Sequence, residues 1–208
     1  MDSKSSIFEH HTRSYLQQLA RMNLARLADR LGVVVENRTV TVPVFGQRYR
    51  VTSERVDRPD GRPADYTTTV IICRYLLQCR EFEPVEGQWQ TFKDFPDAAP
   101  LVDYFANNVE KVIAGRFSGR LERLRNAAGR LGGQRPAIEL SVDFLSTIEA
   151  LPRVSLLLLF NEADESFPAQ STVLFENRVQ HYLDMECVAM VGTLLVEHLD
   201  KSAQARFG

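Results

Sequence analysis

The stretch RVSLLLLFNEADESFPAQSTVLFENR, residues 153–178, changes character twice. Its first part is a continuous apolar run, typical of a strand covered on both faces, so Val154–Phe160 is predicted to be an interior strand. Three acids follow within four positions, and the chain is apolar again from Phe167. A surface turn explains the first of these acids. Asp164 and Glu165 stand closer to the return to apolar packing, so they are candidates for a binding site.

The chain upstream of this strand begins with a helical pattern. Residues 15–32 carry leucine and alanine at three- and four-residue steps, which predicts an amphipathic helix that ends at Gly32. Asn23 can cap a second helix and divide the run in two.

The next region is predicted to form strands. Its valines alternate with other residues and should share one buried face, namely Val40, Val42 and Val44. Turn residues at Asn37 and at the Gly46-Gln47 pair divide it into three short antiparallel strands. Pro43 cannot donate a ladder hydrogen bond and is placed on an edge.

The middle of the chain is mainly helical. Residues 66–80 are apolar around most of a helix, which indicates packing on more than one side, with Thr67 or Thr68 as the cap. The segment GQWQTF is predicted to be a short strand. The patterns of residues 100–117 and 119–133 then predict a helical pair.

The remaining patterns complete the fold prediction. AIELSVDF, residues 137–144, alternates strictly and predicts a strand, whereas residues 177–199 are again helical. The order of helices and strands indicates a single α+β domain over residues 1–208, with a mainly antiparallel sheet packed with helices and a long C-terminal helix.

Residues 151–199 resemble a bacterial and archaeal family, domain of unknown function 3786. The resemblance is carried by Leu151, Pro152, Arg153, Val154, Asp164, Glu165, Phe167, Pro168, Ala169, Leu174, Phe175, Tyr182, Leu183 and Glu186. With looser matches upstream, such as YLLQC, WQTFKDF and LGG, it extends roughly over residues 16–199. Glu176 departs from the family pattern, which has an aspartate there.

This resemblance brings no established activity with it. It implies an association with corrinoid or one-carbon metabolism in anaerobes. Some relatives carry a cysteine-rich iron–sulfur segment, but the three cysteines of this chain cannot hold a cluster alone.

The composition is that of an ordinary globular protein. Net charge is -2, with 44% hydrophobic and 25% charged residues, so no bulk charge favours nucleic acid or a membrane as partner. Residues 1–135 hold 21 basic and 16 acidic side chains, whereas residues 136–208 hold 4 and 11. Cys73, Cys79 and Cys187 form no CxxC pair, which indicates reduced thiols and a cytoplasmic protein.

Glu186 is the most informative acid of the C-terminal helix. In a helix that runs unbroken from Asn177, it lies on or beside the apolar face of Leu183 and Cys187. It is therefore predicted to be buried, either paired with Arg153 or Tyr182 or serving the floor of a ligand pocket.

Two further groups of side chains are candidates for a site. His181, Asp184 and Glu176 contain the side chains of a carboxylate–histidine metal site, although Asp184 is predicted to be solvated. Arginines recur at helical spacing and predict an exposed face or a dock for the acidic C-terminal part, with a stripe for phosphate or nucleic acid as the alternative. These are Arg116, Arg120, Arg123, Arg125, Arg130 and Arg135.

The sequence thus favours a cytoplasmic binding or accessory protein with an apolar pocket over an enzyme. The predicted ligand-binding residues are Asp164, Glu165, Phe167, Glu176 and Glu186. No complete metal-ligand set and no catalytic set is assigned, and the cofactor and oligomeric state are left open. The partner is expected to be a small molecule or another protein. The alternative is a metal-dependent enzyme using Asp164, Glu165 and Glu176.

Overall fold

The computed structural model describes residues 3–78 and 87–204, without the side chains of residues 3–7 and of Leu27, so Cys79 lies outside the described residues. The helices are α1 (Ser3–Ala20), α2 (Ala25–Leu31), α3 (Tyr66–Leu77), α4 (Val102–Phe105), α5 (Lys111–Phe117), α6 (Leu121–Arg130) and α7 (Met185–Gln204). The strands are β1 (Val34–Glu36), β2 (Thr39–Val44), β3 (Gln47–Val51), β4 (Val56–Asp57), β5 (Trp89–Thr91), β6 (Phe144–Leu151), β7 (Val154–Asn161) and β8 (Gln170–Glu176).

The strands form two antiparallel sheets that share one core. The first has the order β1-β2-β3-β4 and the second the order β5-β8-β7-β6. The backbone N–H of Phe45, after β2, donates to the carbonyl of Ala150 in β6 at 3.0 Å and joins the sheets. A single cluster of buried apolar side chains spans both sheets and the helices. The predicted single α+β domain with a long C-terminal helix is confirmed.

Strand β7 lies between β8 and β6, as its apolar run predicted. Leu156, Leu157 and Leu158 are each at most 1% exposed, so both faces of the strand are covered at its centre. Ser155 and Leu159, which share a face with Leu157, are half-buried. The face that carries Leu156 and Leu158 is therefore the deeper one, and it belongs to the common core.

The prediction that Pro43 lies on an edge strand is wrong, because β2 is flanked by β1 and β3. The buried face of Val40, Val42 and Val44 is confirmed. The hairpin turn is Phe45-Gly46, with φ of 46° and 75°, rather than Gly46-Gln47. This turn directs the backbone nitrogen of Pro43 away from β3. On the other side of β2, pairing with β1 ends at Val34 and Thr41, before Pro43 is reached. No ladder donor is needed at Pro43, so an interior strand tolerates it.

The prediction of a strand over residues 137–144 is also wrong. Only its last residue, Phe144, lies in a strand, because β6 begins there. The tight β6–β7 turn fixes the register and pairs Phe144 with Phe160. Because β7 ends at Asn161, one residue after the partner of Phe144, the residues before Phe144 run past the end of β7. Leu140, one of the alternating apolar residues of this segment, is 43% exposed.

The first helical pattern divides where expected. Helix α1 ends before the break at residues 21–24, although the side chain of Asn23 makes no cap and α2 starts after Leu24. Gly32 ends α2 with a φ of 64°. A Cβ atom at Gly32 would also lie 2.8 Å from Cβ of Pro152, so both backbone conformation and space require glycine there.

Helix α3 is capped by Asp65 and not by Thr67 or Thr68. A carboxylate oxygen of Asp65 accepts from the Thr68 N–H at 2.9 Å, and the Thr68 hydroxyl donates to the other at 2.8 Å. A carboxylate three residues before a free N–H is a strong N-cap, and this signal was available in the sequence.

The arginine stripe largely docks the end of α7, which was one of the three interpretations. Arg116 pairs with Asp200. Arg130 and Arg123 donate to the carbonyls of Ser202 and Ala203 at 2.5 and 3.4 Å. The last carbonyls of a helix lack intrahelical donors and carry partial negative charge, so these guanidinium groups stabilise the C-terminus of α7.

Helix α7 packs closely against a π-helical turn, Ala106–Glu110, that joins α4 to α5. A Cβ atom at Gly192 would lie 2.5 Å from Cε2 of Phe105. Gly192→Ala should therefore lower the free energy of unfolding by about 1–3 kcal/mol, as overpacked core sites do. Gly115→Ala is the matched control, because nothing lies within 4 Å of its Cβ position. It should stabilise by about 0.5–1 kcal/mol, and equal losses in urea unfolding would contradict this account.

Candidate functional site

The acids after β7 build a structured turn. The Asp164 carboxylate accepts hydrogen bonds from the N–H groups of Ser166 and Phe167 at 2.7 Å each. The backbone N–H of Asp164 donates to the Phe167 carbonyl at 2.9 Å. The Glu162 carboxylate accepts from the Gly119 N–H at 2.7 Å and ties the turn to the α5–α6 junction. Two of the three acids thus stabilise local backbone.

The turn holds two predicted ligand residues outside the core. Phe167 is 64% exposed and Glu165 is also exposed. Asp164 and Phe167 line a pocket of about 380 Å³ beside the turn, together with Asp143, Asn161, Glu162, Pro168 and Gln170. The walls of this pocket are polar and apolar in nearly equal parts.

Glu176 lies far from this turn. It ends β8, whereas Gln170 begins the strand beside the turn, and six residue steps span roughly 20 Å. Its carboxylate is half-buried and pairs with Arg178. Among residues 3–78 and 87–204, no three His, Cys, Asp or Glu side chains are grouped to hold a metal ion. Neither carboxylate constellation considered from the sequence is assembled.

The burial predicted for Glu186 is wrong, since this side chain is exposed. A 3₁₀ turn covers Asn177–His181, and α7 starts only at Met185. Leu183 therefore precedes α7 and does not set its phase, and Glu186 lies on the exposed side of the helix, as Glu197 does. Arg153, one of its two predicted partners, donates instead to the carbonyls of Asp29 and Arg30, at 3.2 and 3.1 Å.

Asp184, predicted to be solvated, is half-buried and structural. Its carboxylate accepts from the Cys187 N–H at 2.9 Å, which caps α7, and from Nε of Arg74 in α3 at 3.0 Å. Burial raises the pKa of Asp184, but these hydrogen bonds and the Arg74 charge outweigh it and hold the pKa below its usual value. The pair therefore ties α7 to α3.

A larger cleft, of about 870 Å³, lies elsewhere, between α1 and the β4–α3 region. Its lining is predominantly apolar, with charged side chains of both signs. The apolar residues are Phe8, Leu16, Val56, Pro63, Ala64 and Tyr66, and the charged ones are Glu9, Arg13, Glu54 and Arg55. None of the five predicted ligand-binding residues lines this cleft.

The two walls of the cleft meet at an aromatic stack. The rings of Phe8 on α1 and Tyr66 on α3 have centroids 4.1 Å apart and planes at 25°. Arg55 also lines the cleft, and its Nε pairs with Asp57 at 2.8 Å. Such a cleft can bind a molecule with a flat apolar body and polar substituents.

The cleft residues carry little sequence signal. Phe8 and Leu16 fit the amphipathic pattern of α1, but Ala64 and Tyr66 belong to a loop and a helix start more than 40 residues away. Only the packing of α1 on α3 brings them together. The spacing of Phe8, Thr12 and Leu16, four residues apart, indicated a common face of α1 but not the cavity that it covers.

The comparisons with known proteins concern the chain as a whole. None of the helices in the described parts of the chain is long and apolar enough to cross a membrane. No curated protein and no solved structure matches the sequence. The sequence model of the family described as domain of unknown function (DUF3786) matches residues 23–198. The match covers most of the chain, which therefore belongs to this family.

Proposed function

We propose that the protein is a binding or accessory protein and that a small molecule occupies the cleft between α1 and α3. The observation that carries the proposal is the cleft itself: about 870 Å³ is in the range of small-molecule sites. In such sites apolar side chains supply most of the affinity, and a few polar or charged groups orient the ligand. The apolar floor and the few charged side chains of this cleft fit that pattern.

The ligand class follows from the lining. Tyr66 offers a ring to a flat conjugated or aromatic body, while Arg13 and Arg55 suit an anionic substituent. An association with corrinoid or one-carbon chemistry in anaerobes is part of the proposal and is supported by the family resemblance.

A cytoplasmic location belongs to the same proposal. Cys73 and Cys187 are free and buried, and burial raises the pKa of the Cys73 thiol to about 12. Buried thiols of this kind are inert and do not need an oxidising compartment.

Ala64→Trp tests the site, because Ala64 lies in the lining and an indole there would occupy part of the cleft. The probe is anilinonaphthalene sulfonate, which has a flat apolar body and an anionic group. In a fluorescence titration, the parent should bind the dye and Ala64→Trp should weaken binding by about tenfold or more, through lost apolar contact.

Ala137→Trp is the control, since Ala137 is exposed and outside the cleft. It should bind the dye like the parent. Equal binding by all three proteins, or no binding by the folded parent, would contradict the proposed site. Circular dichroism and urea unfolding would establish that each variant is folded.

A further inference from the structure

The two halves of α1 are attached to the body very differently. In the second half, Leu16 and Leu19 are 2% and 3% exposed and belong to the core. From Phe8 to Ser14, every side chain except half-buried Thr12 is exposed. Phe8 itself is 40% exposed although its ring stacks on Tyr66. The second half of α1 is thus packed in the core, whereas the side chains of the first half are mostly exposed and Phe8 contacts Tyr66.

The first half of α1 is also a weak helix by composition. Residues 3–14 contain four serines, one threonine and two histidines. These side chains are poorer helix formers than alanine or leucine, and serine and threonine compete for backbone hydrogen bonds. The first turn contains no acidic residue to interact with the helix dipole. Local opening at this end should therefore cost little free energy.

This weakly held half is one wall of the cleft. Phe8, Glu9, Thr12 and Arg13 line it from α1, and the facing wall contains Val56, Ala64 and Tyr66. Local unfolding of residues 3–14 would remove this wall and widen the mouth of the cleft, while Leu16 and Leu19 keep the rest of α1 in place.

We propose that residues 3–14 are a gate over the cleft, opened by local unfolding and latched by the Phe8–Tyr66 stack. The inference rests on the proposed function, since it describes how a ligand enters and leaves that site. A ligand that contacts both walls binds the closed state better and shifts the population towards it. Binding therefore protects the first half of α1 and leaves the second half as it was.

Hydrogen exchange of backbone amides, read by mass spectrometry, tests the gate without any ligand. In the parent, amides of residues 5–14 should exchange faster than those of residues 16–20. Phe8→Ala removes the latch and should raise exchange of residues 5–14 about three- to tenfold, the range expected for one aromatic pair. Phe167→Ala is the matched control, because it deletes an exposed phenylalanine outside the cleft; it should change nothing there.

Stopped-flow fluorescence with anilinonaphthalene sulfonate tests gating of entry on the same three proteins. Association should be faster for Phe8→Ala by a factor similar to the change in exchange, and saturating dye should slow exchange of residues 5–14 in the parent. Unchanged exchange or unchanged association in Phe8→Ala overturns the gate. If the parent binds no dye, the proposed function fails instead, and this is distinguishable because the exchange experiment uses no ligand.

Discussion

Leu158→Asp should abolish the soluble folded state. Leu158 is 0% exposed on the core face of β7, the strand between β8 and β6. An unpaired carboxylate there loses its hydration and finds no compensating charge, a cost of more than about 4 kcal/mol. That is a large part of the total stability of a domain of this size.

Leu159→Asp is the matched control, because it makes the same change one residue later, on the half-buried face. It should fold and lose only about 1–2 kcal/mol, in keeping with partial burial. Expression yield, circular dichroism and urea unfolding would distinguish the two variants. Two variants of equal stability would show that the face assigned to the core is not the buried one.

The second large effect is a loss of stability in acid caused by His198. This side chain of α7 is 6% exposed and lies beside Phe45, with ring centroids 4.8 Å apart. Burial lowers the pKa of His198 to about 4, and the positive charges of Lys201 and Arg58 contribute to the lowering. The negative charges of Glu197 and Asp65 raise this pKa, but by less than burial lowers it.

The sign of this effect follows from proton binding. Below a pH of about 6.5 the unfolded chain protonates this histidine, whereas the folded state does not until the pH approaches about 4. Stability should therefore fall as the pH decreases through this interval, by about 2–3 kcal/mol between pH 7 and 4.5. His198→Gln cannot protonate and should lose that much less in urea unfolding. An equal loss in both proteins would mean that folded His198 accepts a proton readily.

The central strand and the antiparallel α+β class were predictable because they depend on local pattern. The continuous apolar run of β7 is typical of an interior strand, which is covered on both faces. By contrast, the strand pattern ending at Phe144 failed because its partner β7 is too short to pair with it. Pairing is a property of two segments, so alternation in one segment was insufficient.

The site could not be predicted because its determinants are non-local. The error at Glu186 came from extending one helical phase through Asp184, whose carboxylate starts a new helix and pairs with Arg74, distant in sequence. Similarly, the acids around Asp164 suggested a site by composition, but the carboxylates of Asp164 and Glu162 accept hydrogen bonds from backbone N–H groups. The cleft forms where α1 packs against α3, and no sequence motif indicates this packing.

The measurement that tests the central claim most directly is a crystal structure of the protein as purified, without any added ligand. The account predicts density for a small molecule in the cleft between α1 and α3, in contact with Tyr66 and the apolar floor around Leu16 and Val56. A molecule bound at the Asp164 turn, with only water in the cleft, would contradict it.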